Sequence, residues 1–173
     1  MGVSISFISA TTEELDRAAK DPSRADEYVH RLYDSDNFPA PDRPYGGPDK
    51  AWGGLQFLFD EAEVELEFLM DGFVILEDGT LFGWDAEQIE GLARQLRETP
   101  WERLAAHYDP ERMAKDDVYP NMWTFDPEGQ LGWLEYAYKE LVEFFAAAAE
   151  RGLGGVFKCH AHIRSDARVT AAW

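Results

Sequence analysis

Hydrophobic residues alternate with polar ones in several short stretches of the chain, a period that is typical of strands. Residues 3–9 alternate and are rich in β-branched and aromatic side chains, which predicts a first strand. Residues 63–70 alternate apolar side chains with glutamates, so we predict a strand with one face in the core and one acidic face in water. Asp-Gly pairs then set off two further short strands, over 73–77 and 80–84, and residues 155–163 predict a final strand.

Capping residues and prolines in the rest of the chain predict where helices begin. Thr11 and Glu14 have the spacing of a capping box, as do Asp85 and Gln88. Asp or Thr followed by proline marks other starts, because proline is favoured at the first helical position. The predicted helices begin near Thr12, at Pro22, after Asp85, after Thr99, after Asp109 and after Asp126. The longest of them covers about 130–151 and carries a continuous apolar stripe.

Two segments lack such patterns. Residues 34–48 hold four prolines and two glycines, a density that interrupts regular structure, so we predict a long loop there. The tail at 164–173 is locally basic and is predicted either to fold back on the acidic body or to be frayed. The whole pattern predicts one compact α+β domain over residues 1–173, with a small, mostly antiparallel sheet packed by five or six helices.

Acidic residues dominate the charge of the chain. With 34 acidic and 16 basic residues the formal net charge is −18, which disfavours nucleic acid and anionic membrane surfaces as partners. A basic protein partner or a cationic ligand fits this field, although acidity that only maintains solubility is the simpler alternative. Residues 51–93 contain eleven acids and no Lys or Arg, so the charge is concentrated in one segment.

Cysteine usage and hydropathy indicate a compartment. Cys159 is the only cysteine, so no internal disulfide forms, in agreement with a reducing cytoplasm. The first residues lack the basic and apolar regions of a signal peptide, and no apolar run reaches the length of a membrane span. The sequence therefore predicts a cytoplasmic protein.

Five segments follow one another over nearly the whole chain: MGVSISFISATTEELDRAAKDP, DKAWGGLQFL, FGWDAEQIEGLARQL, YDPERMAKDDVYPNMW and LEYAYKELVEFFAAAAERG. In this order and spacing they resemble the YfbM-like proteins, a bacterial family of unknown function. The resemblance implies a compact α+β cytoplasmic protein and no particular activity. Family members usually carry histidines at the positions of Gly53 and Gln56, so this chain lacks those imidazoles.

Aromatic and polar residues are concentrated in two segments. Lys50 and Trp52 precede an apolar run that predicts a helix, and Tyr119, Asn121 and Trp123 surround a proline on an irregular segment. Such groups can line a ligand pocket, and they can equally seal the core beneath a loop. We predict that these five residues form a ligand-binding site if they converge on one cleft.

The predicted last strand carries a possible metal site. His160 and His162 share one face of that strand, whereas Cys159 points to the other face. A His-x-His pair can hold a metal if a third ligand completes the site, and two ordinary histidines are the alternative. Cys159 is interpreted as a small buried hydrophobe.

Two classes of function follow from these observations. The first is a non-enzymatic acidic module that binds a basic protein partner, in the manner of an immunity protein. The second is an enzyme or small-molecule binder with a cleft near Lys50, Trp52, Tyr119 and Trp123. The sequence contains no Gly-rich phosphate loop, nucleophile elbow or HExxH helix, so we assign no catalytic residue and predict no cofactor. The oligomeric state stays open.

Overall fold

The structure is a computed structural model that describes residues 2–33, 43–67 and 71–162; for residues 31–33 and 161–162 it describes the backbone alone. The described residues form seven helices and five strands. In chain order these are β1 (Gly2–Ala10), α1 (Thr12–Lys20), α2 (Pro22–Tyr33), β2 (Tyr45–Asp49), α3 (Trp52–Glu61), β3 (Phe73–Val74), β4 (Leu81–Trp84), α4 (Ala86–Arg97), α5 (Trp101–Ala105), α6 (Pro110–Lys115), α7 (Pro127–Glu150) and β5 (Gly154–His162).

The five strands form one antiparallel sheet in the order β2-β1-β5-β4-β3. Its centre is the pair of nine-residue strands β1 and β5, which run in register from Gly2 opposite His162 to Ala10 opposite Gly154. The predicted α+β class with a mostly antiparallel sheet is confirmed, and the helices number one more than the upper end of the prediction.

Helices cover both faces of the sheet. Because successive side chains of β1 and β5 point to opposite faces, they enter two separate hydrophobic cores. Phe7 and Phe157 enter the larger core, together with buried residues of α3, α4 and α7. Helices α5 and α6 add Leu104 and Met113 to the same core. On the other face Val156 belongs to a smaller core that includes buried residues of α1 and α2. The two central strands therefore contribute buried apolar residues to both faces of the sheet.

The helix starts follow the predicted capping signals. Both capping boxes form: Thr11 and Glu14 bond each other across the first turn of α1, and Asp85 and Gln88 do so in α4. At α6 and α7 an aspartate caps the helix and proline occupies the first turn. These starts depend on groups three residues apart, so the local sequence was sufficient to place them.

The prediction of a loop over 34–48 is wrong at its end, where the structure has strand β2. Residues 45–49 pair with β1, with an irregular register between Ile5 and Phe7. Gly47 makes this possible, because its φ of +141° is accessible to glycine and a Cβ there would lie 2.6 Å from the Ile5 carbonyl oxygen. Pro48 is tolerated because β2 is an edge strand. The rest of the predicted loop, residues 34–42, lies outside the described residues, as does the tail at 164–173.

The strand predicted over 63–70 is wrong for its described part. Val64 and Leu66 are buried and Glu63, Glu65 and Glu67 are exposed, but none of the described strands pairs with residues 63–67. Instead the side-chain amide of Gln95 lies against the backbone of Glu65, with its two polar ends 2.8 Å from Glu65 N and 3.2 Å from Glu65 O, the distances of a hydrogen bond to each. Gln56 donates to the Leu66 carbonyl oxygen (2.8 Å). Side-chain amides thus replace a neighbouring strand, and residues 68–70 lie outside the described residues.

The two strands predicted after it are partly correct. Residues 73–77 form only the two-residue strand β3, and residues 80–84 form β4, which pairs with both β3 and β5. In the part of the chain that the structure describes, no helix is both long enough and apolar enough to cross a membrane.

Candidate functional site

An open cleft lies between the end of β2 and the segment that joins α6 to α7. Its volume is about 440 Å³, within the range of small-molecule sites. It is lined by Lys50, Tyr119, Pro120, Met122, Gln130 and Trp133. The structure therefore brings together two of the five predicted ligand-binding residues, Lys50 and Tyr119, which are 69 positions apart in the chain.

Trp52 supports this cleft from behind and does not line it. Its indole stacks on the Tyr119 ring with centroids 5.3 Å apart, and its Nε1 donates to the Val3 carbonyl oxygen (3.0 Å). The Tyr119 hydroxyl accepts a hydrogen bond from Val3 N (3.0 Å). The two aromatic residues thus hold both backbone groups of Val3 and position the phenol at the cleft.

The other two predicted residues do not reach the cleft. Trp123 is fully buried, stacks against Trp133 and donates from Nε1 to the Val118 carbonyl oxygen (2.7 Å), so its role is in the core. Asn121 is exposed with a φ of +53°, and its amide donates to the Asp117 carboxylate. Sequence spacing did not separate these roles, because all three residues of this segment flank one proline.

The glycine pair at the start of α3 allows close packing behind the cleft. A Cβ at Gly53 would lie 2.5 Å from the Tyr119 carbonyl oxygen, and a Cβ at Gly54 would lie 2.3 Å from Cη2 of Trp123. Real Cβ atoms do not approach so closely, so both positions need glycine for the observed packing. The segment is a buried helix start, and the cleft begins beside it at Lys50.

The predicted metal pair is only partly described. His160 Nε2 lies 2.7 Å from Ser6 Oγ on the neighbouring strand, and the His162 side chain is outside the described residues. Among the described side chains, no group of three His, Cys, Asp or Glu residues has an arrangement that could hold a metal ion. Cys159 lies partly buried against the larger core, and burial raises the pKa of its thiol.

An ion pair between a buried lysine and a partly exposed aspartate lies close to His160, and the sequence did not predict it. Lys158 on β5 is only 7% exposed, and its ammonium contacts the Asp26 carboxylate and His30 Nε2 (3.0 Å), both on α2. This pair ties α2 to the central strand, and a buried lysine requires such a partner. The available signal was a lysine in the middle of an otherwise apolar stretch, GVFKC, at residues 155–159.

A second surface is defined by carboxylates. Asp60, Glu67 and Asp71 form what we call the acidic face. Desolvation raises the pKa of the Glu67 carboxyl, and the carboxylates of Asp60 and Asp71 raise it further. Among the described residues, none of these three carboxylates has an ion pair with a basic side chain, whereas the adjacent Glu61 is bound by Arg112 (2.6 Å).

The sheet order and helical layers define the class of protein: an α+β domain with a five-stranded antiparallel sheet covered by helices on both faces. A family model described as "Domain of unknown function (DUF1877)" matches residues 1–157, so the chain belongs to the DUF1877 family. No curated protein matches the chain.

A solved structure has the same fold. The chain is similar to the crystal structure of YfbM, a protein of unknown function from Escherichia coli, with a TM-score of 0.65 and 15% identity over 91% of this chain and 99% of that one. At this identity the likeness establishes the fold alone. The predicted YfbM-like family and α+β architecture are confirmed.

Proposed function

We propose that this protein is a non-enzymatic binding module that docks a basic protein partner on the acidic face. The observation that carries the proposal is the position of the Asp60 and Asp71 carboxylates beside Glu67, where they add to desolvation in raising the pKa of the Glu67 carboxyl. A carboxylate placed beside two others gains from an incoming cation, because the positive charge offsets their repulsion.

The surroundings of the acidic face support the same conclusion. Residues 51–93 supply no Lys or Arg, so any basic group near the face must come from a distant part of the chain or from a partner. The adjoining Glu63 and Glu65 are also exposed, which extends the negative surface along the same segment. A long-range field of this kind accelerates association with a positive partner and rejects negative ones.

Capture from a cell lysate tests this proposal. The immobilised chain is expected to retain a basic protein that elutes as salt rises, because exposed charges are screened. Neutralising the face in D60N/E67Q/D71N should reduce retention roughly tenfold, through a slower association rate. The matched control E128Q/E143Q/E150Q removes three carboxylates from α7 instead, so both variants make the net charge of −18 less negative by three.

The comparison between the two variants decides the outcome. Retention that survives in the α7 control and is lost in the acidic-face variant supports the proposal. If both variants lose retention of the basic protein equally, the effect is one of net charge alone. If neither the native chain nor the variants retain a basic protein, the proposed partner does not exist in the lysate. Either result contradicts a specific acidic docking face.

The cleft at Lys50 favours a second candidate, a small-molecule binder or enzyme. It is open, has a volume of about 440 Å³, and combines one cation with aromatic side chains. We expect a small aromatic carboxylate to shift the Trp133 indole resonance in an NMR titration, with binding weakened severalfold in Lys50→Gln. An unchanged Trp133 signal across a fragment series of such acids would rule this candidate out.

A further inference from the structure

A larger pocket lies on the opposite side of the sheet, where α1 and α2 pack over β1 and β5. Its volume is about 660 Å³, again within the range of ligand sites. Its described lining comes from β1, α1, α2 and β5, together with Asp21 and Arg43. None of these described residues was predicted from the sequence to be functional.

The inner part of the pocket is apolar. Ile8 and Val156 come from the two central strands, and Val29 comes from α2. Three alanines, Ala10, Ala18 and Ala25, line the same space, and their short side chains leave room between helices and sheet. An apolar concavity of this volume has room for an apolar group of a small ligand.

Two basic side chains at the mouth of the pocket stand out in an acidic protein. The described lining contains four basic and two acidic residues, and because Arg17 is paired with Glu13 and Arg43 with Glu14, Lys20 and Arg24 are the cations left at the mouth. Lys20 ends α1 and Arg24 lies in the first turn of α2, so the two cations flank the junction of these helices. Asp21 lies 3.9 Å from Arg24, at the limit of an ion pair, and both side chains are largely exposed.

One wall of the pocket is built from a polar network. Arg43 donates to both oxygens of Glu14 (2.8 and 3.1 Å) and to the Ser9 carbonyl oxygen (2.9 Å), and the Tyr28 hydroxyl donates to Glu14 (2.9 Å). Burial alone would raise the pKa of the Glu14 carboxyl, but the hydrogen bonds from Arg43, Thr11 and Tyr28 hold the pKa below its ordinary value. The charge of the Glu14 carboxylate is therefore balanced by Arg43, and its role is structural. The electrostatic potential at the mouth is then determined by Lys20 and Arg24.

We infer that this pocket binds an anionic amphiphile, a single-chain carboxylic acid whose alkyl chain occupies the apolar interior and whose carboxylate lies at Lys20 and Arg24. The apolar interior accounts for the alkyl chain, and Lys20 and Arg24 account for the head group in a protein whose net charge of −18 otherwise repels anions. The inference is independent of the acidic face, which lies on a different part of the chain.

Calorimetric titration with dodecanoate, below the concentration at which it forms micelles, tests the inference. We expect saturable binding of one molecule per chain, with dodecanol and dodecyltrimethylammonium at least fivefold weaker because they lack the negative head group. The double variant K20Q/R24Q should weaken dodecanoate binding about fivefold. The matched control R97Q/K115Q removes two exposed cations from the ends of α4 and α6 and should leave binding unchanged.

A second variant tests the apolar interior. Ala25→Phe places a ring in the pocket and should abolish dodecanoate binding, with circular dichroism used to confirm that the chain still folds. If Ala25→Phe does not fold, the pair of charge variants still decides the question. Equal binding of dodecanol and dodecanoate, or equal binding by K20Q/R24Q and the native chain, would overturn the inference. A loss of binding in Lys50→Gln instead would place the ligand in the other cleft and overturn it as well.

Discussion

Replacing Phe7 by alanine is expected to lower the free energy of unfolding by about 3–5 kcal/mol, the range for truncating a buried phenylalanine. Phe7 is fully buried at the centre of β1. Its ring lies 5.4 Å from that of Trp84, 5.3 Å from Phe144, 5.9 Å from Phe145 and 6.1 Å from Phe157. Alanine would leave a cavity bordered by four aromatic rings that belong to β4, α7 and β5.

Rings held by three separate elements cannot all move into that space, so the cavity should stay largely open and the cost should be near the upper end of the range. Urea denaturation followed by tryptophan fluorescence measures the effect. Phe125→Ala is the matched control, because Phe125 is 88% exposed and its loss should change the free energy of unfolding by less than about 0.5 kcal/mol.

The conservative variant Phe7→Leu should fall between the two, at about 1–2 kcal/mol, and it remains measurable if Phe7→Ala is too unstable to fold. A loss below about 1 kcal/mol for Phe7→Ala would show that the aromatic cluster does not depend on this ring. Equal effects at Phe7 and Phe125 would be still harder to reconcile with the observed burial.

Replacing Gly54 by alanine should destabilise the protein by about 1–3 kcal/mol, although alanine is the better helix former. The new Cβ would lie 2.3 Å from Cη2 of Trp123 and 2.7 Å from Cδ2 of Leu134, and both of those side chains are fully buried. Trp123 cannot easily move aside, since its Nε1 is bonded to the Val118 carbonyl oxygen and its ring is stacked on Trp133.

Helix propensity favours alanine over glycine by about 1 kcal/mol, so the sign of the effect depends on whether overpacking exceeds that gain. Gly91→Ala in α4 isolates the propensity term, because no atom lies within 4 Å of a Cβ at that position. We expect Gly91→Ala to stabilise the protein by about 0.5–1 kcal/mol and Gly54→Ala to do the opposite. Thermal unfolding of both variants measures the difference.

If both alanine variants stabilise the protein, Trp123 has room to shift and the glycine is not required for packing. Gly53→Ala supplies an independent check, because its Cβ would approach the backbone oxygen of Tyr119 at 2.5 Å. Backbone atoms move less readily than side chains, so Gly53→Ala should cost at least as much as Gly54→Ala. It should also disturb the cleft, since Tyr119 lines it.

The sequence was most informative where structure depends on near neighbours. The capping boxes at α1 and α4 and the proline starts of α6 and α7 were predicted correctly, because each involves groups within one helical turn. The central strands β1 and β5 were equally clear, because residues buried on both faces leave a dense apolar and β-branched pattern.

The errors fell where long-range pairing decides the structure. The segment at 63–70 has the alternation of a strand, yet its described part is held by Gln56 and Gln95 and has no neighbouring strand. Conversely β2 forms from a segment rich in Gly and Pro, because an exposed edge of β1 was available to pair with it. Alternation reports which side chains are buried, and it carries no information about what the backbone bonds to.

Binding sites show the same division. Charge, composition and aromatic segments indicated an acidic surface and a cleft at Lys50, since these properties belong to residues themselves. The pocket under α1 and α2 has no signature in the sequence: its alanines and valines are ordinary, and its cations come from α1, α2 and Arg43. Only the packing of two helices across the sheet assembles them, because space between elements and charges from separate elements exist only once the chain is folded.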